Sequence, residues 1–196
     1  MTVLNAIFHL FHRWVAVWCI LLAASGPAAA DDAQLWQALG SGGHFALLRH
    51  ALAPGTGDPP DFAVDRCETQ RNLSDEGRRQ AERIGGRFRA NGIPAAQVYS
   101  SQWCRCLETA RLLNIGPVRE LPILNSFFRR YERRESQTRR LKEWLAARDF
   151  ARPLVLVTHQ VNITALTGVF PRSGELVVVH RDKGGKLVVA GTIETE

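Results

Sequence analysis

The sequence predicts one α/β domain in which helices cover both faces of a mostly parallel central sheet, a three-layer α/β/α sandwich. Short apolar segments of strand length alternate with amphipathic segments of helix length along most of the chain. No internal repeat or linker interrupts this alternation. With 196 residues, of which 45% are hydrophobic and 22% charged, the chain is long enough for one ordinary globular core.

The first thirty residues are predicted to be a signal peptide (residues 1–30) and not part of this domain. Arg13 is their only charged residue, and the apolar run 14–24 that follows it is too short to span a bilayer. Small residues at 25–30 favour cleavage after Ala30. Cleavage would leave a domain of residues 31–196 with no membrane anchor, in the periplasm or secreted. An uncleaved anchor helix is the alternative.

The mature domain is basic, with 24 basic against 19 acidic residues and a net charge of +5. Positive charge favours an anionic partner such as phosphate, nucleic acid, anionic lipid or polysaccharide. Nucleic acid ranks lowest, because no nucleic-acid motif is present and no stacking aromatic residues interleave with the arginine cluster described below. No nucleic-acid partner is predicted.

The first elements are a helix, a buried strand and a second helix. Residues 31–39 have apolar side chains at helical spacing and are followed by glycines. The compact apolar run 44–48 predicts a strand that stops at Arg49 and His50, before a loop rich in proline and glycine. Ser74 is predicted to cap the next helix, because acidic residues occupy the first turn after it.

The remaining elements repeat this alternation and end in a hairpin. They are, in order, strand 98–101, helix 104–113, helix 126–148, strand 154–157, helix 161–166 and the hairpin strands 175–180 and 186–190. The run 154–157 is apolar throughout, as expected of a strand that is buried on both faces.

Polar residues follow three of the predicted strands at their carboxyl ends. They are Arg49 and His50, Ser100 and Ser101 with Arg105 one turn later, and Thr158 with His159. Ligands of open α/β sheets bind beyond these ends, so two histidines and two arginines converge if the strands are neighbours. Guanidinium groups bind phosphate oxygens in pairs, and a neutral imidazole can attack phosphorus. The pattern therefore predicts a phosphoryl-transfer site.

Four ordered motifs resemble those of the histidine phosphatase superfamily, which has the phosphoglycerate mutase-like fold. They are Leu47-Leu48-Arg49-His50, the segment from Leu73-Ser74-Asp75-Glu76-Gly77 to Gln80-Ala81, the segment from Tyr99-Ser100-Ser101 through Arg105 to Thr109-Ala110, and Val157-Thr158-His159. The resemblance covers about residues 45–168. It implies that His50 is the nucleophile that forms a phosphohistidine, that Arg49 and Arg105 bind the phosphoryl group, and that His159 contacts the same oxygens. These cationic surroundings are expected to lower the pKa of His50.

Two residues just before the capped helix, Arg71 and Asn72, are further candidates for substrate binding. Arg71 either faces the pocket or braces the loop.

The segments Cys67–Leu73 and His159–Ile163 resemble those of small periplasmic bacterial members of the family, which include lipopolysaccharide-core heptose phosphatases. This resemblance implies a small phosphorylated substrate, such as a phosphorylated envelope sugar or glycolipid.

This chain differs from the family pattern in the segment where many members carry their general acid. Many members that act on alkyl phosphates carry an acidic residue in a segment like Leu-Asn-Glu, whereas this chain has Leu124-Asn125-Ser126. Serine cannot donate a proton as a carboxylic acid does, so either another carboxylate serves or the leaving group needs little help. The candidate acids are Glu135, Glu132, Glu68 and Asp65. The mutase branch of the family is less favoured for the same reason.

Export would place three cysteines, Cys67, Cys104 and Cys106, in an oxidising compartment. The simplest arrangement is one disulfide from Cys67 to Cys104 or to Cys106 with one free thiol, and both pairings remain open. Either bond would tie the loop around Cys67 to the helix that carries Arg105. The Cys-x-Cys pair lacks the spacing of a structural zinc site, so no metal and no cofactor are predicted.

An arginine cluster lies within the helical pattern 126–148. Its members are Arg129, Arg130, Arg133, Arg134, Arg139 and Arg140. The cluster either attracts a polyanionic glycolipid or forms a solvated helix face.

The predicted function is an exported phosphomonoesterase that works through a phosphohistidine intermediate. One alternative is a module that binds a phosphate or phosphosugar without turnover, as a missing general acid would permit. The other is a protein phosphohistidine phosphatase, whose phosphoramidate leaving group is easily protonated, although such substrates are mainly cytoplasmic.

Overall fold

A six-stranded mixed sheet forms the centre of the molecule. The computed structural model describes residues 31–195, so the predicted signal peptide lies outside the described residues. The strands are β1 His44–Arg49, β2 Gln97–Ser100, β3 Val118–Glu120, β4 Leu154–Thr158, β5 Leu176–Arg181 and β6 Leu187–Ile193. Their order across the sheet is β3-β2-β4-β1-β5-β6. The first four strands in this order are parallel, and β5 is antiparallel to both β1 and β6.

Helices cover both faces of this sheet. They are α1 Asp32–Ser41, α2 Asp75–Ala90, α3 Cys104–Leu112, α4 Arg134–Ala146 and α5 Gln160–Thr167. Apolar residues of α1, α2 and α3 form a buried cluster with one face of the sheet, and those of α4 and α5 form a second cluster with the other face. Among residues 31–195, no helix has the length and apolar character needed to cross a bilayer. The predicted three-layer α/β/α sandwich is confirmed.

The pairing of β1 with β4 brings the ends of both strands to one place. Arg49 lies opposite Thr158 in the parallel register, so His50 and His159 leave the sheet at the same edge. β2 lies on the other side of β4, and Ser101 at its end reaches this edge as well. The strand order β2-β4-β1 therefore meets the condition under which the polar strand ends converge.

The start of α2 explains why its sequence contains both a serine and a glycine. Ser74 caps the helix, because its Oγ accepts a hydrogen bond of 3.0 Å from the backbone N–H of Gly77. A Cβ at Gly77 would lie 2.0 Å from the carbonyl oxygen of Leu52, in the loop that follows β1. Glycine at this position thus lets α2 support the loop next to His50.

One predicted helix begins later than expected, and the prediction of helix from residue 126 was wrong. Residues 126–133 form a loop that ends in a 3-10 turn, and α4 begins only at Arg134. The Oγ of Ser126 accepts a hydrogen bond of 3.1 Å from the N–H of Phe128, and Arg129 has a φ of 63°. These local turn conformations are incompatible with a continuous helix despite the helical spacing of the apolar residues.

The edge strand β3 was not predicted. Its three residues, Val-Arg-Glu, pair with β2 at the edge of the sheet. A segment this short shows no alternation that sequence reasoning can use.

Candidate active site

His50 lies just beyond β1, with one ring nitrogen that carries no proton. Its imidazole is 2% exposed, and Nδ1 lies 2.8 Å from the carbonyl oxygen of Ala51, which can only accept a hydrogen bond. Nδ1 therefore carries the proton, and Nε2 accepts a hydrogen bond of 3.2 Å from the Nε–H of Arg105. This tautomer directs the lone pair of Nε2 toward the guanidinium group of Arg105.

Burial and positive charge keep this imidazole neutral. Burial first, and the charge of Arg105 second, lower the pKa of His50 well below its ordinary value of 6.5. Arg49 and Arg71 add smaller effects of the same sign. The pKa of His159 is also lowered well below 6.5, for the same two main reasons. Both imidazoles are therefore neutral at neutral pH.

Three guanidinium groups surround His50. Arg105 in the first turn of α3 is 3% exposed, and Arg49 and Arg71 are partly buried. Burial and the charge of Arg105 lower the pKa of both Arg49 and Arg71, the latter to about 10. Arg49 donates a hydrogen bond of 2.9 Å from Nη1 to the carbonyl oxygen of Pro171, but its buried Nε has no partner among the described residues. This concentration of charge around an unsatisfied donor suits an anion such as a phosphoryl group.

His159 faces His50 across the site, with the two ring centroids 5.5 Å apart. Its Nε2 lies 2.9 Å from the Oγ of Ser101, which follows β2, and 3.5 Å from the Sγ of Cys106. Burial raises the pKa of Cys106 to about 12, so its thiol stays protonated. Ser101 at the end of β2 and Cys106 of α3 thus hold His159 in place at the end of β4, and the buried thiol is not a thiolate nucleophile.

Asp58 is part of the site, although sequence reasoning did not single it out. Its Oδ1 accepts a hydrogen bond of 2.6 Å from Nη1 of Arg105, and its Oδ2 accepts one of 3.2 Å from Nη2. The backbone N–H of Arg71 and the indole Nε1–H of Trp103 also donate to this carboxylate, at 3.1 Å and 3.2 Å. Burial raises the pKa of Asp58, but the hydrogen bonds and charge of Arg105 outweigh it, so the pKa is lowered overall. The sequence signal that could have indicated Asp58 was its position between Gly57 and Pro59 in the loop after His50.

The structure brings Arg49, His50, Arg71, Arg105 and His159 together and leaves other predicted site residues outside. Asn72 donates to the carbonyl oxygens of Cys67 and Gln70 and does not line the cavity. The four candidate acids are all exposed, and none of them lines the cavity; they are Glu68, Glu132, Glu135 and Asp65.

The converging groups lie in a cavity of about 630 Å³. One wall is aromatic, with Phe62 stacked on Trp103 at a centroid distance of 4.8 Å. The exposed residues Arg129, Arg130 and Arg133 also line the cavity. A second cavity of about 410 Å³ shares Trp103, Ser126 and Arg133 with the first. The site therefore extends beyond the space that one phosphoryl group needs.

A disulfide joins Cys67 to Cys104, and of the cysteines in residues 31–195 only Cys106, which is buried, is free. The bond connects the 3-10 turn at residues 67–69 to the first residue of α3, next to Arg105. The backbone N–H of Cys104 also donates a hydrogen bond of 2.9 Å to the Oε1 of Gln70. Of the two pairings that the sequence left open, the structure contains the one that leaves Cys106 beside His159. In residues 31–195, no cluster of three or more His, Cys, Asp or Glu side chains could hold a metal ion.

The fold and the site agree with a known class of proteins. Residues 46–153, more than half of the chain, match the histidine phosphatase superfamily (branch 1). The chain belongs to this superfamily. No curated protein matches the sequence significantly.

Solved structures with the same fold include three phosphatases. The protein histidine phosphatase SixA complexed with tungstate has a TM-score of 0.56 at 14% identity, and the match covers 78% of this chain and 97% of that one. A putative phosphohistidine phosphatase SixA from Agrobacterium tumefaciens gives 0.52 at 19% identity, over 78% and 98%. A phosphoserine phosphatase from Entamoeba histolytica in complex with 3-phosphoglyceric acid gives 0.54 at 14% identity, over 78% and 98%. The predicted phosphoglycerate mutase-like fold is confirmed.

Proposed function

We propose that the protein is an exported phosphomonoesterase that forms a phosphohistidine at His50. The observation that carries this proposal is the neutral Nε2 of His50 among three guanidinium groups. A phosphate monoester would supply an electrophilic phosphorus for Nε2 and anionic oxygens for the arginines.

In the first step of the proposed reaction, Nε2 of His50 attacks phosphorus as the bond to the ester oxygen breaks. Arg105 and Arg49 bind the phosphoryl oxygens and stabilise the charge that spreads over them in the transition state. The unpartnered Nε of Arg49 provides one donor for this purpose. In the second step, water attacks the phosphohistidine and releases inorganic phosphate.

The extended cavity supports a phosphorylated envelope sugar or glycolipid as the substrate. Arg129, Arg130 and Arg133 line it and form no ion pair within residues 31–195. Arg139, by contrast, does not line either cavity and lies 4.0 Å from Glu143. Sugar rings pack well on aromatic faces, and such a face is present at Trp103. The arginine cluster therefore divides into cavity-lining members and a solvated helix face.

Replacement of Arg133 by alanine tests the substrate proposal, because this residue lines both cavities. The expected result is a KM for a phosphorylated core oligosaccharide that rises by up to about fivefold, with no change for p-nitrophenyl phosphate. Steady-state kinetics measure both values. Arg139→Ala is the matched control and should change neither. An equal effect of both substitutions on both substrates would contradict a role for Arg133 in binding the remote part of the substrate.

Export of the chain is supported by the disulfide, because such bonds persist in oxidising compartments. If the amino-terminal segment is a signal peptide, the protein recovered from the periplasmic or extracellular fraction should begin at Asp31. Amino-terminal sequencing of that fraction measures this. Recovery of the intact chain only in the membrane fraction would favour the uncleaved anchor.

The experiment for the activity uses the full chain, expressed with export and purified in oxidising buffer. We expect hydrolysis of p-nitrophenyl phosphate and of a hexose phosphate, and transient labelling of the protein by phosphate. A phosphohistidine is lost in acid and retained in alkali, which distinguishes it from a phosphoserine. Binding of phosphate with no turnover of either ester would overturn the proposal in favour of a phosphate-recognition module.

A protein phosphohistidine phosphatase is the second candidate. It is favoured by one structural neighbour named as a protein histidine phosphatase and one named as a putative phosphohistidine phosphatase. The exposed positions of the four acids predicted from the sequence favour it as well. Turnover of a phosphohistidine peptide at a kcat/KM far above that of any sugar phosphate would select this function.

The lowered pKa of His50 predicts how the activity depends on pH. The folded protein protonates His50 only well below pH 6.5, so Nε2 stays nucleophilic in mildly acidic solution. The value of kcat/KM for p-nitrophenyl phosphate, corrected for ionisation of the substrate, should vary by less than about twofold between about pH 7.5 and about pH 5.5. A decline with an apparent pKa near 6.5 would contradict this.

Stability, unlike activity, should change with pH in the same range. The unfolded chain takes up protons on His50 and His159 near pH 6.5, whereas the folded protein does so only at a lower pH. The free energy of unfolding therefore falls as the pH drops below 6.5, and urea titrations at several pH values measure it.

Removal of the disulfide is expected to lower both stability and activity. The bond links residues 37 positions apart, for which the loop-entropy model gives about 4 kcal/mol. Its loss would also loosen the loop that carries Arg71 relative to α3. Reduction with dithiothreitol should lower the Tm and reduce kcat/KM several-fold. In the variant with both Cys67→Ser and Cys104→Ser, dithiothreitol should have no further effect. Unchanged Tm and kcat/KM after complete reduction would contradict the prediction.

A further inference from the structure

The cavity contains one carboxylic acid among the residues that the structure describes. Of all the side chains that line the space around His50, only Asp58 can donate a proton from a carboxyl group. An alkyl phosphate has a poor leaving group, and its departure needs protonation of the ester oxygen. Any carboxylic acid that serves such a reaction in this cavity must therefore be Asp58 or come from the substrate.

His50 and Asp58 bind opposite ends of the Arg105 guanidinium group. Its Nε donates to Nε2 of His50 at 3.2 Å, and its Nη1 and Nη2 donate to the carboxylate of Asp58 at 2.6 Å and 3.2 Å. In an in-line displacement, the leaving oxygen departs away from the attacking atom. A phosphoryl group held by Arg105 would thus direct its leaving oxygen away from His50, toward the side where Asp58 lies.

A phosphoryl group and the Asp58 carboxylate would compete for the same donors of Arg105. The outer donors of Arg105 are the ones that bind phosphate oxygens in pairs, and Asp58 holds both of them. A bound phosphoryl group would therefore displace the carboxylate, whose side chain is 16% exposed, from the guanidinium group.

Displacement from Arg105 would also change the pKa of the Asp58 carboxyl group. Arg105 provides the two largest influences that lower the pKa of Asp58 against the effect of burial, and the N–H groups of Arg71 and Trp103 add smaller ones. Without the contacts of Arg105, and beside the negative oxygens of the substrate, burial and charge both raise the pKa. The group would then take up a proton when the substrate binds.

We propose that Asp58 is the general acid for hydrolysis of alkyl phosphates in this protein, a role that rests on the proposed phosphatase function. As the bond from Nε2 to phosphorus forms, the bond from phosphorus to the ester oxygen breaks, and the ester oxygen takes the proton of the Asp58 carboxyl. In the second step, the Asp58 carboxylate takes a proton from the attacking water. The bond from phosphorus to nitrogen then breaks, its electron pair returns to Nε2, and phosphate leaves.

Asp58→Asn tests this role by its dependence on the leaving group. The expected loss of kcat/KM is about 100-fold or more for a hexose phosphate but less than about threefold for p-nitrophenyl phosphate, whose phenolate needs no proton. The ratio of the two rates is measured on one preparation, so it does not depend on the fraction that folds. Asp58→Glu, which retains an acid, should restore the ratio in part. Asp61→Asn, an exposed position in the same loop, is the control and should leave both rates unchanged.

Three other results would overturn either the role of Asp58 or the phosphatase function, and each can be recognised from the two rates. An equal loss on both substrates would overturn the proposal, because Asp58 would then only position Arg105. Unchanged or higher rates on both would also overturn it, because the carboxylate would then only occupy the anion site. Wild-type protein that hydrolyses neither ester would overturn the proposed phosphatase function itself, whatever the result with Asp58→Asn.

Discussion

His50→Ala should abolish hydrolysis of p-nitrophenyl phosphate, with kcat lower by about 1,000-fold or more. Alanine has no lone pair to attack phosphorus, and the remaining arginines can bind phosphate but cannot form the covalent intermediate. Acid-labile labelling of the protein by phosphate should disappear together with turnover. Both quantities are measured by quenching the reaction at short times and by steady-state release of p-nitrophenol.

The matched control for this substitution is His44→Ala, at the other end of the same strand. The His44 ring lies 5.2 Å from that of His180, away from the cavity lining. Its loss should leave kcat within about twofold. Persistent phosphate labelling in His50→Ala would show that another group is the nucleophile. His159, with its ring centroid 5.5 Å away, would then be the next residue to replace.

Arg105→Lys should lower kcat/KM for any phosphate ester by about 100-fold or more. The guanidinium group donates to His50 through Nε and to Asp58 through Nη1 and Nη2, whereas an ammonium group is a single point of charge. It cannot contact both partners with the same geometry. The hydrogen bond to Nε2 of His50 and the pair of donors for the phosphoryl oxygens would both be lost. Steady-state kinetics and inhibition by inorganic phosphate measure the effect.

A change in stability must be separated from this effect, because Arg105 is 3% exposed and holds the carboxylate of Asp58. Thermal unfolding followed by circular dichroism gives the folded fraction at the assay temperature. Arg78→Lys is the control, since Arg78 forms a partly exposed ion pair of 2.7 Å with Glu108 of α3, outside the cavity lining. Its kcat/KM should stay within about twofold. A folded Arg105→Lys variant with wild-type kcat/KM would contradict the role of Arg105.

Much of the site could be predicted because its residues follow buried strands directly. The compact apolar run of β1 ends at Arg49, and that of β4 ends at Thr158, so the edge of the sheet was defined by local patterns. The capping serine of α2 was predicted from the acidic residues in the turn that follows it. Residues 126–133 were wrongly predicted as helix, because apolar spacing does not record the left-handed conformation at Arg129.

The neighbours Arg71 and Asn72 show where local reasoning fails. Both precede α2 and both are polar, yet only Arg71 lines the cavity. The guanidinium of Arg71 donates to the carbonyl oxygens of Gly57 and Ala53, whereas the Asn72 amide binds the backbone at Cys67. Which of the two faces the ligand depends on the path of the loop, which contains no periodic pattern.

The sequence by itself determined the α/β/α fold class and the positions of Arg49, His50, Arg105 and His159 at or just after strand ends, because periodicity and position after a strand are local properties. The strand order β2-β4-β1, which brings these ends together, was decided by the tertiary structure. Only the tertiary structure decided the partner of Cys67 and the contact of Asp58 with Arg105, which lie 37 and 47 residues apart. Contacts between irregular segments this far apart depend on how the loops fold over the sheet, and no pattern in either segment encodes that path.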